Sequence, residues 1–426
     1  MSNVATNQRT IENPRVTLGL RNGSATFVIA MVGLLTANIV PLVITVFTDR
    51  LGFGLVKTGE IVTWSLAGSA VVGLSTARWA SGSRRRLVAL IGLSISVLGF
   101  GAAALVPDPA VVVAGFIAGG IGAGGALSSS GAAMAAIQNP NRVSATSGFV
   151  NRVVVMIALV LLPLIGLAQV TVFGALALIA AIGLALIPWL PNTPELAEPA
   201  DVTATLTLAA PRRITIAGIA LLIVFPFWGM SEDSVYAMTG VMTVQLGISE
   251  AQFGAILGAA SIVGAVMTGL LLIVGNRIGR ALPLGISLGI AGFTKLLIGT
   301  ATDPTALSVL IVVDNANFGV AMVFFLAAAA GLDARGRWSA PLLSAYIVGS
   351  SFAPLFGAFL AETFGVRGFG IVAAIICWSV LIPAVIIARV STGAERALVR
   401  AAERAAEEEA NFTERNRERE LASEAQ

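Results

Sequence analysis

Five charged residues fall well inside long apolar stretches: Arg152, Glu232, Asp233, Lys295 and Asp314. Ionised groups are expensive in hydrocarbon, so where they occur they pair, line a wet path or carry protons. The chain has no histidine. Imidazole proton relays and imidazole metal sites are therefore excluded, and any proton carrier is a carboxylate. Glu232 and Asp233 are neighbours, so on a helix they diverge by about 100° and cannot face one point. One of the two can then face a cavity while the other turns toward a neighbouring helix. Lys295 and Asp314 fall at similar depth when rises are counted along their two stretches, so a direct pair is expected. Lys295 has a second candidate partner in Glu232 or Asp233, and a proton would then break that pair. Arg152, beside Asn151, has two possible roles. Its guanidinium forks onto a carboxylate, sulfonate or phosphate, or it makes an internal pair or snorkels to the membrane edge.

Polar and aromatic residues on the first, second and seventh stretches extend this set. Asn38 and Pro41 lie on the first stretch, Trp64 and Ser65 on the second, Trp228 and Tyr236 on the seventh. Aromatic rings supply flat contact surface, and Trp and Tyr add a hydrogen bond; packing or a lipid-facing position is the other reading of each. Asn315 and Asn317 are polar at depth and read as partners for Asp314. No phosphate loop, nucleophile elbow or metal-ligand cluster occurs, so enzyme chemistry, direct use of ATP and a metal or other cofactor are not expected. The single cysteine, Cys377, allows no disulfide within one chain and reads as packing.

These residues need helices to hold them. Of 426 residues, 56% are hydrophobic and 12% charged, about half the charge of an ordinary soluble domain. Bilayer-crossing helices need about 20 mostly apolar residues each. Twelve stretches qualify, at 25–48, 59–80, 86–107, 110–137, 144–168, 171–191, 213–242, 250–275, 281–301, 306–331, 339–363 and 367–391. They are continuous apolar runs, not the short alternating segments of a membrane β-barrel. Residues 1–24 are polar, and the first apolar run is too long for a signal-peptide core, so it reads as a retained span.

The net charge of +3 is no nucleic-acid footprint, but its distribution is informative. With both termini in the cytoplasm, only Arg50, Lys57 and Arg367 of the 26 Lys and Arg fall outside, and Arg152 and Lys295 fall within spans. The positive-inside rule favours this orientation. Pro191-Asn192-Thr193-Pro194 stops the sixth span, and polar residues 192–212 read as a cytoplasmic linker between bundles at 25–191 and 213–391. The tail, 392–426, is rich in Ala, Glu and Arg and reads as a solvated helix with charge pairs at helical spacing.

The segment Leu51-Gly52-Phe53-Gly54…Gly59 returns as Leu246-Gly247-Ile248-Ser249…Gly254, 195 residues later. Pro163-Leu164-Ile165-Gly166 is matched by Pro354-Leu355-Phe356-Gly357 and reads as a paired bend. Internal repeats on this scale in a membrane-spanning chain are how secondary transporters are built.

Twelve spans, a central loop and this repeat resemble the major facilitator superfamily. The family's signature between spans two and three is Gly-x-x-x-Asp-Arg-x-Gly-Arg-Arg. Here Gly73-Leu74-Ser75-Thr76-Ala77-Arg78 is followed by Arg84-Arg85-Arg86, and the second half has Gly275-Asn276-Arg277-Ile278-Gly279-Arg280. Ala77 and Asn276 stand at the acid places. The resemblance implies a cytoplasmic gating loop at Arg78, Asn276, Arg277 and Arg280; topology anchors are the plainer reading. A second signature places an Arg ahead of a glycine run in span four. Gly120-Ile121-Gly122-Ala123-Gly124 is present, with Phe116 at the Arg place. That Arg belongs to proton-coupled drug antiporters, so its absence favours symport.

The combined expectation is an all-α protein of twelve helices in two six-helix bundles, a proton-coupled transporter of a bacterial cytoplasmic membrane that functions as a monomer. Substrate would be a small organic anion held by Arg152, Asn151, Asn38, Trp64, Trp228 and Tyr236. Asp233, Glu232, Asp314 and Lys295 would couple protons. Multidrug efflux by antiport, and a non-transporting receptor or scaffold, are the alternatives.

Overall fold

The computed structural model describes residues 16–137, 140–191, 212–274, 279–332, 338 and 342–424. Among them there is no strand, only an isolated bridge between Val16 and Ile137. The helices are α1 (Leu20–Asn38), α2 (Val40–Thr45), α3 (Leu55–Ser81), α4 (Arg85–Leu105), α5 (Pro109–Ala135), α6 (Pro140–Ile165), α7 (Gln169–Leu186), α8 (Arg212–Gln245), α9 (Glu250–Val274), α10 (Ala281–Thr300), α11 (Pro304–Leu332) and α12 (Leu342–Glu424). Ten helical segments among the described residues are long and apolar enough to cross a membrane. One of them, Ala345–Ala397, contains a break inside α12, where Gly365 adopts a φ of 67°. The 192–212 linker lies almost wholly outside the described residues; α8 begins at its last residue, Arg212. Beyond Ser391 the chain stays helical through the tail to Glu424.

Local sequence explains several boundaries. Asp108 caps α5 by accepting from the Ala110 and Val111 amides at 2.8 and 3.1 Å, with Pro109 at the first helical position. The α1 helix stops at Asn38 and resumes at Val40 as α2, which ends in a π-turn over Val46–Arg50.

The chain falls into two compact units. The first comprises Met1–Ile39, Trp64–Val155 and Ala168–Ala204; the second comprises Val40–Thr63, Met156–Leu167 and Thr205–Gln426. In the first unit α4 packs on α5 through glycine. A methyl group on Gly99 would come 2.6 Å from the Gly115 carbonyl oxygen, and one on Gly92 would come 2.7 Å from that of Gly122. Lipid tails are as apolar as Leu, so close backbone packing, not exclusion of water, holds such helices together. Phe116, at the place of the family's Arg, packs between Phe100 and Phe173 with ring centroids 6.1 and 5.5 Å away.

The second unit has an aromatic core. Trp228 is sandwiched between Phe225 and Phe318, both centroids 5.4 Å away and nearly parallel, with Phe325 and Tyr346 at the edges. Within this unit Gly59 of α3 abuts α12, where a methyl would meet the Pro354 carbonyl oxygen at 2.6 Å and Ala358 Cβ at 2.9 Å. Gly254 of α9 abuts α6 in the same manner, against the Leu159 carbonyl oxygen and Pro163 at 2.8 and 2.9 Å. The 195-residue offset therefore pairs Pro354 with Leu159 and Ala358 with Pro163. The expected match of Pro163 with Pro354 is a correction: the two prolines lie one helical turn out of register, so they do not form an equivalent bend.

Candidate functional site

The embedded charges of the second unit come together. Lys295 of α10 is fully buried, and its Nζ lies 2.8 Å from Glu232 Oε2 of α8 and 3.0 Å from Asp314 Oδ1 of α11. Thr294, one residue before, donates its hydroxyl to the same Asp314 oxygen at 2.7 Å. The two alternatives for Lys295 thus hold at once: it pairs with Asp314 and with Glu232. Glu232 Oε1 is buried without a hydrogen-bond partner among the described residues. Asn315 and Asn317 are not what satisfies Asp314. Asn317 instead forms a two-way link with Ser287, accepting its hydroxyl at 2.8 Å and donating to its carbonyl at 2.9 Å.

Buried pairs survive only when attraction and hydrogen bonds offset desolvation. Here one ammonium serves two carboxylates, so full ionisation leaves one negative charge uncompensated in an apolar helix bundle. A single added proton balances the cluster. Glu232 Oε1 is an oxygen shut off from solvent with no hydrogen bond to it among the described residues.

Asp233 points elsewhere, as the helical angle requires. It is only partly buried, and its Oδ2 accepts from the Tyr346 hydroxyl at 2.7 Å, with Ser350 a second hydrogen-bonding neighbour. Tyr236, one turn on, is also partly buried. Trp228 does not line open space: it is completely buried in the aromatic core, and its indole N–H has no partner among the described residues.

The remaining candidates of the binding set lie in the first unit. Arg152 of α6 is partly buried and makes no ion pair among the described residues. Beside it, Asn151 has a buried Oδ1 without a hydrogen-bond partner. Asn38 donates to the Leu34 carbonyl at 2.7 Å within its own helix, at the α1 break. Trp64 is 59% exposed, whereas Ser65 beside it is buried and donates to the Phe116 carbonyl at 3.3 Å.

The basic loops divide. Arg78 is exposed. Asn276 and Arg277 lie outside the described residues. Arg280 is buried and forms an ion pair with Glu395 at 2.8 Å and a hydrogen bond to Ser391 at 3.1 Å, which pins the end of the apolar part of α12. Its equivalent at the 195 offset is Arg85, also buried, which donates to the Pro191 carbonyl at 2.8 Å past the end of α7. Each of these arginines reaches the end of the last span of its own half. The shared offset was the signal that could have found this pairing.

The sequence matches the family model described as Major Facilitator Superfamily over residues 25–330. The chain belongs to the major facilitator superfamily. Solved structures of similar fold include the human organic anion transporter MFSD10 (TETRAN), with 18% identity, 85% of this chain and 99% of that one covered, and a TM-score of 0.59. The nucleoside transporter NupG shares 13% identity over 86% and 98% of the two chains, with a TM-score of 0.66. A D-xylose-proton symporter shares 16% over 84% and 96%, with a TM-score of 0.61. At these identities the likeness is one of fold. A search of curated proteins gave no significant match. Membership makes this facilitator-superfamily chain a multi-pass membrane transporter with a small-molecule substrate, not an enzyme.

Proposed function

We propose that this transporter moves a small organic anion across a bacterial cytoplasmic membrane by proton-coupled alternating access, as a monomeric symporter. Both termini face the cytoplasm, and the bundles at 25–191 and 213–391 rock against one another. The observation that carries the coupling is the arrangement of Lys295 between Glu232 and Asp314, with one Glu232 oxygen unpartnered. A proton on Glu232 neutralises the cluster and loosens the tie between α8 and α10, leaving Lys295 to Asp314. A ligand or proton shifts a conformational equilibrium only through such a difference between states. Arg152 holds the anionic group of the solute, because its guanidinium has no ion-pair partner among the described residues. Solved structures of like fold include an organic anion transporter and a proton symporter, which is compatible with this reading.

The test uses purified protein in liposomes with a panel of organic anions. An inward proton gradient should drive accumulation of at least one of them, and a protonophore should abolish it. Equilibration without accumulation under the same gradient would point to a passive facilitator instead. Efflux of lipophilic cations by antiport is the second reading. It is favoured by Asp233, a partly exposed carboxylate held by Tyr346 beside the aromatic core. Accumulation of cations, with no response to anions, would establish it. A receptor or scaffold would depend on residues 392–426, whereas transport would survive their removal.

A further inference from the structure

The repeated segment that starts α3 and α9 has a use beyond the turn. Gly52 and Gly247 have φ of 69° and 71°, the left-handed conformation that glycine adopts without strain. Four residues into each helix, Gly59 and Gly254 provide the close approach to α12 and to α6 described above. Each approach is then bolted by a carboxylate. Glu250, the first residue of α9, accepts from the Leu167 amide at 2.8 Å beyond the end of α6, and also pairs with Arg50. Arg50 in turn donates to the Leu167 carbonyl at 3.2 Å, closing a ring of three residues. In the other copy Glu362 of α12 accepts from the Val56 amide at 2.9 Å, at the start of α3. Below it, Thr63 accepts from the Leu355 amide at 3.3 Å.

The offset of 195 residues maps Leu167 onto Glu362 and Glu250 onto Leu55, the neighbour of Val56. The two bolts are thus the same contact built twice, with the acid moved from one partner to the other. Glu362 meets the first turn of α3, where backbone N–H groups have no intrahelical partner and the helix dipole favours an anion. Glu250 meets the Leu167 amide in the short connection between α6 and α7. A bond of this kind contributes only while the two segments touch.

We propose that Glu250 and Glu362 are paired staples that close the end of the transporter remote from its termini, and that both must release for a solute to enter there. The proposal rests on the alternating-access reading. The staples act on the opening step itself, independently of which solute or proton is carried. Breaking one staple leaves the other and its glycine seam in place, so single losses loosen the closure and the double loss opens it.

The test is a thiol-labelling rate in intact cells with a membrane-impermeant maleimide, in a Cys377→Ala background with the buried Val62→Cys as reporter beneath the seam. No solute or proton gradient is needed, so failure here is separate from failure of the transport reading. Glu362→Ala should raise the rate at least fivefold, Glu250→Ala likewise, and the double variant further. Glu362→Gln keeps an acceptor oxygen and should fall between parent and Ala. Gly59→Leu, which props the seam without touching either acid, should give fast labelling as well. Parent-like rates in both Ala variants would overturn the proposal, as would a double variant no faster than the singles.

Discussion

Lys295 and Glu232, 63 residues apart, form a completely buried ion pair of 2.8 Å in which the second carboxylate oxygen has no partner among the described residues. Asp314 sits on the other side of the same ammonium at 3.0 Å. The cluster ties α8, α10 and α11 to one cation, and its balance of charge depends on one proton. For that reason the cluster, rather than the more accessible Asp233, is the one proposed for the coupling role.

Removing the cation alone should be the most destabilising single change in the cluster. Lys295→Met leaves two buried carboxylates facing each other, and breaking such a pair costs about 3–5 kcal/mol. The variant should melt well below the parent in detergent. Adding Glu232→Gln and Asp314→Asn should recover much of the loss, because neither carboxylate then needs a counter-charge. A triple variant no more stable than Lys295→Met would mean that packing, not charge, sets the cost.

Arg152→Ala should abolish thermal stabilisation by organic anions while leaving the unliganded melting temperature nearly unchanged, since Arg152 makes no ion pair among the described residues to lose. Hydrogen bonds to a charged group contribute about 1.5–3 kcal/mol, so affinity should fall by roughly tenfold to more than a hundredfold. Arg152→Lys should not restore it fully, because an ammonium lacks the planar fork. Equal stabilisation of parent and Ala variant by anions would remove Arg152 from the binding set.

Gly99→Leu should disrupt the first unit. Its side chain would be forced into the Gly115 and Gly119 backbone, and overpacking of this kind costs about 1–3 kcal/mol or more. Gly101, on the same helix, has open space around it, so Gly101→Leu is the matched control. Similar losses of folded yield in the two variants would argue against the close-packed α4–α5 seam.

Deleting residues 397–426 should leave transport and folding intact, since the Arg280 contacts with Ser391 and Glu395 remain. Deleting from residue 392 also removes Glu395 but keeps Ser391, and should lower the melting temperature part of the way toward that of Arg280→Ala. Uptake assays on both truncations separate an anchoring role from a partner-binding one.

Much of this architecture was legible in the sequence. The apolar runs gave the helices, because hydrocarbon demands about 20 such residues per crossing. The embedded charges stood out because the other Asp, Glu, Lys and Arg residues of those runs lie near their ends. Depth counting brought Lys295 and Asp314 together, and the angle between neighbours turned Glu232 and Asp233 apart. Rotation was the missing quantity. Helices apolar on every side carry no sign of which face is inward, so Trp228 read as a pocket wall although it lies in the aromatic core. The prolines misled because repeated dipeptides align by identity, while the contacts align by the glycines at 59 and 254. Glu250 and Glu362 were passed over because they lie at helix ends, where a carboxylate looks like ordinary solvated surface, and only the offset of 195 residues connects them.

The most direct test of the account is proton movement driven by solute. Parent protein and Glu232→Gln are reconstituted with a pH-sensitive dye inside the liposomes, and a stabilising organic anion is added outside without an imposed gradient. The parent should acidify the lumen. The variant should not, while it still binds the anion and exchanges it across the membrane. Acidification by Glu232→Gln at the parent's rate would contradict the assignment of the proton to the Lys295 cluster.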